Sequence, residues 1–216
     1  MSKDTASKSR RPKRGQTREA LMEAALDLVI KKGPFSSLSL REVTKKAGVV
    51  PTAFYRHFPD MSALGLTLLD ESFRSLRQMM RQVRQEELPT ERMIRGSMEI
   101  YFNYVRDNRA HFLFVAKELY GGTPTMRSAI RREIRLFTSE LAMDMARFPF
   151  LNQINAEDLQ MMAALVVNNV TALTQEMLEL EEEDLTGQRD VLITAEKQLR
   201  LIYFGVGMWR SNKASR

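Results

Sequence analysis

The sequence predicts an all-α protein in two parts, a small N-terminal three-helix unit and a larger helical C-terminal domain. Three observations carry this. Leu, Met and Ala dominate the apolar 44 % of the chain over Val, Ile and Thr, a balance that favours helices over strands. Apolar residues recur at three- and four-residue spacing. Only seven prolines and ten glycines punctuate 216 residues, which suits long helices with short joints. A chain of this length buries a sizeable core in one or two domains.

Residues 1–16 are polar, basic and without apolar periodicity, and are expected to form a flexible arm. Periodicity begins at Thr17: Leu21, Ala25, Leu28 and Val29 share a face, Lys31 and Lys32 close the last turn, and Gly33 ends the helix. Phe35 then falls in a loop. Ser39 and Glu42 have the spacing of a capping box at the start of a second helix whose apolar side is Leu40, Val43 and Ala47. Gly48 stops that helix, and Pro51 suits the first position of a third, where its missing N–H is no loss. Helix, short Gly-containing turn and helix make the skeleton of a helix-turn-helix.

The third helix has two faces. At 100° per residue Phe54, Phe58 and Pro51 fall together as the expected buried side, with Thr52 and Arg56 opposite and Ala53, Tyr55 and His57 between. That outward face suits a DNA major groove. Arg56 and Thr52 are placed for base edges and the Ala53 methyl for a thymine methyl. Tyr55 and His57 are placed for phosphates, which fix register. Arg41 and Lys46 on the second helix complete the candidate DNA contacts. Taken singly, each residue is as well explained as ordinary helix surface; the combination is what points to DNA.

The distribution of charge agrees. Residues 1–60 hold 13 Lys and Arg against 6 Asp and Glu, while residues 61–216 hold 20 against 21. The whole excess of the +6 chain therefore sits at one end, which points to a polyanionic partner there. There is no cysteine, so disulfides, thiolate zinc sites and cysteine nucleophiles are excluded. No apolar run is long enough to span a bilayer, and the basic N-terminus lacks the apolar stretch of a signal peptide. A cytoplasmic, nucleoid-associated protein is the expectation, without membrane insertion.

Beyond residue 61 the chain reads as helices over 62–85, 90–107, 110–120, 124–148, 156–180 and 189–210, with breaks at Leu88-Pro89, Gly121-Gly122-Thr123-Pro124 and Pro149. The last two carry wide apolar faces. Leu159, Met162, Ala163, Val166, Val170 and Leu173 line one, and Leu192, Leu199, Ile202, Tyr203 and Val206 the other. Such a pair is either a domain core or a homodimer interface. A dimer has its own logic, since a single reading helix touches few base pairs and a two-fold pair reads two half-sites.

Arg41, Gly48-Val49, Thr52, Phe54-Tyr55 and His57-Phe58 together resemble the DNA-binding motif of the TetR family of bacterial transcriptional repressors. Leu64-Gly65-Leu66, Asp70-Glu71-Ser72 and Leu76-Arg77-Gln78-Met79-Met80 extend the likeness to the FabR/DesT-type regulators of unsaturated fatty-acid synthesis. Met61 departs from the family, which usually has a phosphate-contacting Lys there. The resemblance implies an all-α fold with an N-terminal three-helix DNA-binding domain over 17–61 and a C-terminal ligand-binding and dimerisation domain over 62–216. It also implies repression of fatty-acid genes through a double-stranded DNA operator, with a long-chain acyl thioester, on coenzyme A or acyl-carrier protein, as effector.

An apolar effector needs a largely apolar cavity. Tyr101, Phe102, Val105, Phe112, Val115, Met162, Leu165 and Val166 are the candidates to line it, with Asn169 as a polar contact. Aromatic and Met residues at helical spacing are more often simple core. Asn168 and Asn169 stand out in an apolar stretch, because a buried amide needs partners in a ligand or across a dimer. His111 reads as a surface or capping residue, and residues 181–184 as a solvated acidic end. A drug-like or aromatic effector is the main alternative to a lipid. Two histidines, no cysteine and no Gly-rich phosphate loop leave few materials for an enzyme, and no cofactor or metal is expected.

Overall fold

The structure of the protein, a computed structural model, describes residues 14–85, 93–148, 151 and 153–210. The expected basic arm lies outside the described residues, apart from its last turn. Among the described residues there are nine α-helices and no strand. They are α1 Arg14–Lys32, α2 Leu40–Lys46, α3 Pro51–Phe54, α4 Met61–Gln85, α5 Met93–Asp107, α6 Arg109–Gly121, α7 Pro124–Met145, α8 Ala156–Glu179 and α9 Leu185–Met208. A single 3₁₀ turn, Phe35–Ser37, joins α1 to α2.

The small unit is specified locally. Leu21, Ala25, Leu28 and Val29 are all buried, and α1 begins at Arg14, three residues before its apolar spacing does. The capping box forms as its spacing predicts: the Ser39 hydroxyl accepts from the Glu42 amide, and the Glu42 carboxylate accepts from the Ser39 amide at 2.9 Å. Gly48 takes φ +69°, a left-handed value that L side chains rarely adopt, and so turns the chain from α2 into α3. Phe54 and Phe58 are buried as expected, with ring centroids 5.7 Å apart. Pro51 is not. It starts α3 at the outer edge of the three-helix core, so its ring is exposed although its direction on the wheel is inward.

The unit does not end in its own core. Buried residues of α1, α2, α3 and α4 form one continuous cluster with Phe114 of α6 and with Met126, Ala129 and Ile130 of α7. Phe35 links the DNA-binding unit to the large domain within it. A Cβ added at Gly65 of α4 would lie 2.9 Å from the Phe35 ring, and the Phe114 ring of α6 meets Phe35 edge-on at 6.1 Å. Two further clusters hold the large domain together. One joins α5, α8 and α9 through Phe102, Val105, Leu173, Met177 and Ala195; the other joins α7, α8 and α9 through Ala142, Leu159, Met162, Ala163 and Val206. No helix among the described residues is long and apolar enough to cross a membrane.

The acidic end before the last helix has a structural role that its charge concealed. Asp184 caps α9, accepting from the Gly187 amide at 2.9 Å, so the helix starts four residues before Arg189. Arg109 spans the gap between helices as well, donating to the carbonyls of Leu178 at 2.7 Å and Leu180 at 2.9 Å at the end of α8.

Two outcomes check this account. Gly65→Ala forces a methyl into the Phe35 ring and is expected to cost roughly 1–3 kcal/mol in urea unfolding, as overpacking does; an unchanged midpoint would show that the ring is free to move. The Glu42 carboxyl, hydrogen-bonded by Lys32 and by the Ser39 amide and hydroxyl, is lowered to about 2. A folded-state pKa below the unfolded one contributes stability above the unfolded value and loses it as pH falls. The stability difference between wild type and Glu42→Gln should therefore be constant near neutrality and shrink from about pH 4.5 towards 2. A pH-independent difference in thermal melts would remove the ionic part of this cap.

Candidate nucleic-acid interface and effector cleft

On α2 the charges divide by edge. Glu42 pairs with Lys32, and Lys46 with Asp27 of α1 at 3.0 Å, so one edge of α2 is tied to the first helix. Arg41 and Lys45, also four residues apart, form the other edge; both are exposed and neither has a partner among the described residues. Asp27 thus offsets the charge that Lys46 would bring to a DNA contact, whereas Lys45 has no such partner among the described residues. Sequence reasoning passed over Lys45, although its spacing from Arg41 was visible.

Beside this edge stands α3. After Phe54 the helical turn continues through amide bonds from Arg56 to Ala53, His57 to Phe54 and Phe58 to Phe54. Thr52 and Arg56 are exposed and unpartnered among the described residues, Tyr55 is 62 % exposed with its ring edge-on to Phe54, and Ala53 and His57 are half-buried. The two aromatic anchors hold the helix from below while its polar side faces outward. Arg18 of α1 braces the same anchor: its guanidinium lies 5.5 Å from the Phe58 ring centroid and pairs with Glu71 of α4 at 3.2 Å.

Residues 21–66 match the family described as bacterial regulatory proteins, tetR family, and residues 89–204 match the tetracyclin repressor-like C-terminal domain. The chain belongs to the TetR family. It is a TetR-type transcriptional regulator, and its helix-turn-helix is the part of such proteins that meets operator DNA. Solved structures share its fold at low identity. SmeT in a complex with triclosan is 18 % identical, with TM-score 0.67, covering 86 % of this chain and 90 % of that one. FadR from Bacillus subtilis in complex with stearoyl-CoA is 11 % identical, TM-score 0.61, with 85 % and 96 % covered. The fatty acid degradation regulator FadR from Bacillus halodurans is 14 % identical, TM-score 0.62, with 95 % and 100 % covered.

The large domain of this TetR-type regulator does not gather the nine expected lining residues in one place. Phe102 and Val105 are core between α5, α8 and α9, with Tyr101 and Phe112 packed on them. The Tyr101 hydroxyl lies 2.9 Å from that of Thr174, and burial pushes its phenol up to about 12. Met162 belongs to the third cluster, Leu165 is 50 % exposed on the outer side of α8, and Val166 is half-buried. The Asn169 amide nitrogen donates to Gln198 of α9, while its buried Oδ1 has no partner among the described residues.

Among the described residues, Phe112 and Val115 do meet in a cleft, which lies between α4, α5 and α6. Its other walls are Ser72, Phe73, Ser75, Leu76, Tyr104, Asn108 and His111. His111 is therefore a cleft residue and not the surface cap its position beside Arg109 implied. Its Nδ1 lies 2.9 Å from the Ser72 hydroxyl, whose oxygen is also 2.8 Å from the Leu68 carbonyl. The hydroxyl has one proton to give and Leu68 can only accept, so His111 donates from Nδ1 and keeps Nε2 as an acceptor. Burial lowers the pKa of His111 against the opposing pull of Glu71, and burial raises that of Tyr104 against its hydrogen bond with Ser75. The cleft is thus apolar with a neutral polar cluster.

The division of charge on α2 has a direct test. Lys45→Ala should reduce the slope of log affinity against log salt by about 1, while Lys46→Ala, already neutralised by Asp27, should reduce it less. Equal slopes for the two variants in fluorescence titrations would remove the distinction.

Proposed function

We propose that the protein is a homodimeric repressor that controls unsaturated fatty-acid synthesis genes in response to a long-chain acyl thioester. The exposed Thr52 and Arg56, held outward by two buried phenylalanines, and the neighbouring Arg41 and Lys45 of α2, all without partners among the described residues, carry the operator-binding part. Arg56 and Thr52 read bases, Tyr55 and His57 hold phosphates, and the dimer sets the spacing of two half-sites. The pairing surface is the outer side of α8 and α9, where Leu165, Leu201, Phe204 and Met208 are 50, 74, 60 and 80 % exposed.

The cleft supports the effector part. Its volume is about 40 Å³, against roughly 300–1,000 Å³ for sites that enclose an organic ligand. An acyl chain enters only after α4 and α6 separate, so it binds the opened conformation in preference to this one, which is what a switch requires. FadR with bound stearoyl-CoA, together with the text of α4 from Leu64 to Met80, favours an acyl ligand. A second reading has its own support. The acceptor left on His111 suits a compact ligand with a hydroxyl donor better than a thioester, which only accepts, and SmeT is known with triclosan.

The deciding experiment is binding to DNA upstream of the protein's own gene and of fatty-acid synthesis genes, at fixed salt, with palmitoyl-CoA, oleoyl-CoA or triclosan. Specific binding altered by an acyl-CoA is the expected result. A response to triclosan alone selects the second reading, and binding indifferent to all three would defeat both effectors while leaving the repressor.

A further inference from the structure

Two adjacent residues near the end of α6 reach into the DNA-binding unit. The Lys117 ammonium donates to the carbonyls of Val29 at 2.7 Å and Ile30 at 3.0 Å, at the C-terminal end of α1 where a cation is also favoured by the helix dipole. The Glu118 side chain is fully buried, and its Oε1 accepts from the Phe35 amide at 2.6 Å. A buried carboxyl is costly, and this one is incompletely repaid, since its Oε2 has no hydrogen-bond partner among the described residues. Burial raises its pKa against the Phe35 hydrogen bond. The fold also makes room for it, because a Cβ at Gly122 would lie 2.5 Å from that Oε2.

Nothing in the apolar packing requires a carboxyl there; a Leu would serve the core better. What the carboxyl adds is a directional bond to one amide of the 3₁₀ turn, the segment that joins α1 to α2. Two helical turns earlier on the same helix, His111 is bonded to Ser72 in the cleft. One rigid element therefore has a polar contact in the cleft at one end and three polar contacts to the DNA-binding unit at the other.

We propose that Glu118, seconded by Lys117, is a positioning residue for operator binding: its carboxyl latches the Phe35 amide and fixes the angle of the reading unit on the large domain, and α6 carries displacements at His111 to that latch. The inference rests on operator binding and not on which effector fills the cleft. It assigns the signal to a sliding of α6 that releases a named hydrogen bond, with Phe35 left to pivot between Gly65 and Phe114 once its amide is free.

The test compares Glu118→Leu with Glu118→Gln in the full chain. Gln keeps an oxygen for the Phe35 amide, and Leu keeps the volume without one. The absence of cysteine allows spin labels at Glu23→Cys on α1 and Asp190→Cys on α9, both exposed and apart from the latch. Electron–electron distance measurements on label-diluted protein are expected to give a broadened distribution for Glu118→Leu and a wild-type one for Glu118→Gln. Amide exchange over 34–38 should accelerate in the Leu variant alone. Affinity for the DNA fragment that the wild type selects from a random pool should fall about tenfold, the equivalent of one lost hydrogen bond, without a matching drop in melting temperature. A narrow distribution with wild-type affinity in Glu118→Leu would overturn the proposal, as would a Gln variant as impaired as the Leu one. Should Glu118→Leu not fold, Lys117→Met removes the second arm from the surface side; broadening there supports the latch, and an unchanged distribution overturns it.

Discussion

The placement of the Phe35 ring is the constraint on which the rest of the molecule depends. It lies in the space that Gly65 leaves on α4, against the edge of Phe114 on α6. Because α4 and α6 both belong to the large domain, a residue of the loop between the first two helices becomes part of that domain's core. The DNA-binding unit is consequently not a bead on a linker. Its apolar cluster runs without interruption into α6 and α7, and a movement of either helix is felt at the turn before α2. Close-packed interiors transmit such shifts because they leave few voids to absorb them.

From this follows a division of labour within the large domain. The clusters joining α5, α8 and α9, and α7, α8 and α9, have no member on α4 or in the DNA-binding unit and form a base, on which α6 packs through Phe112, Leu113 and Ala116. The cleft lies at the seam, between α4, α5 and α6, where this base meets the helices that contact the DNA-binding unit. Its polar residues are neutral ones, and a neutral histidine bonded to a serine separates at far lower cost than a buried ion pair. Among the described residues one salt bridge joins α4 and α7, Arg77 with Glu133, and it lies farther along, towards the end of α4 remote from the reading helix.

How much of this was legible in the sequence depends on how local the determinant is. Ser39, Glu42, Gly48 and Pro51 act through bonds and torsions within a few residues, so their spacing alone predicted the helix-turn-helix. The burial of Phe54 and Phe58 followed from helical period. The pocket was another matter. Tyr101, Phe102 and Val105 have the spacing of any buried face, and period says that a side chain points inward without saying against which neighbour. His111 and Glu118 were illegible for the same reason: their partners, Ser72 and Phe35, are 39 and 83 residues away in the chain. Asp184 was missed because a cap inside an acidic run looks like solvated charge.

Glu118 and His111 have one property in common, a polar group held in an apolar setting by a single well-made bond. Such groups contribute little net stability, because the cost of taking them from water offsets most of the bond. Their value is conditional. While the bond is made, the geometry is unique; when it is broken, a desolvated donor or acceptor is exposed to its full penalty, which favours a new arrangement that satisfies it. A ligand-controlled regulator needs two conformations separated by only a few kcal/mol, because a ligand shifts the balance by no more than its difference in affinity for the two. A junction secured wholly by apolar packing would lack that second arrangement, and one secured by a buried ion pair would be too costly to open. A single hydrogen bond from the Phe35 amide to a buried carboxyl, beside a packed phenylalanine ring, lies between these limits, and the same reasoning accounts for a cleft that is closed in the conformation seen here.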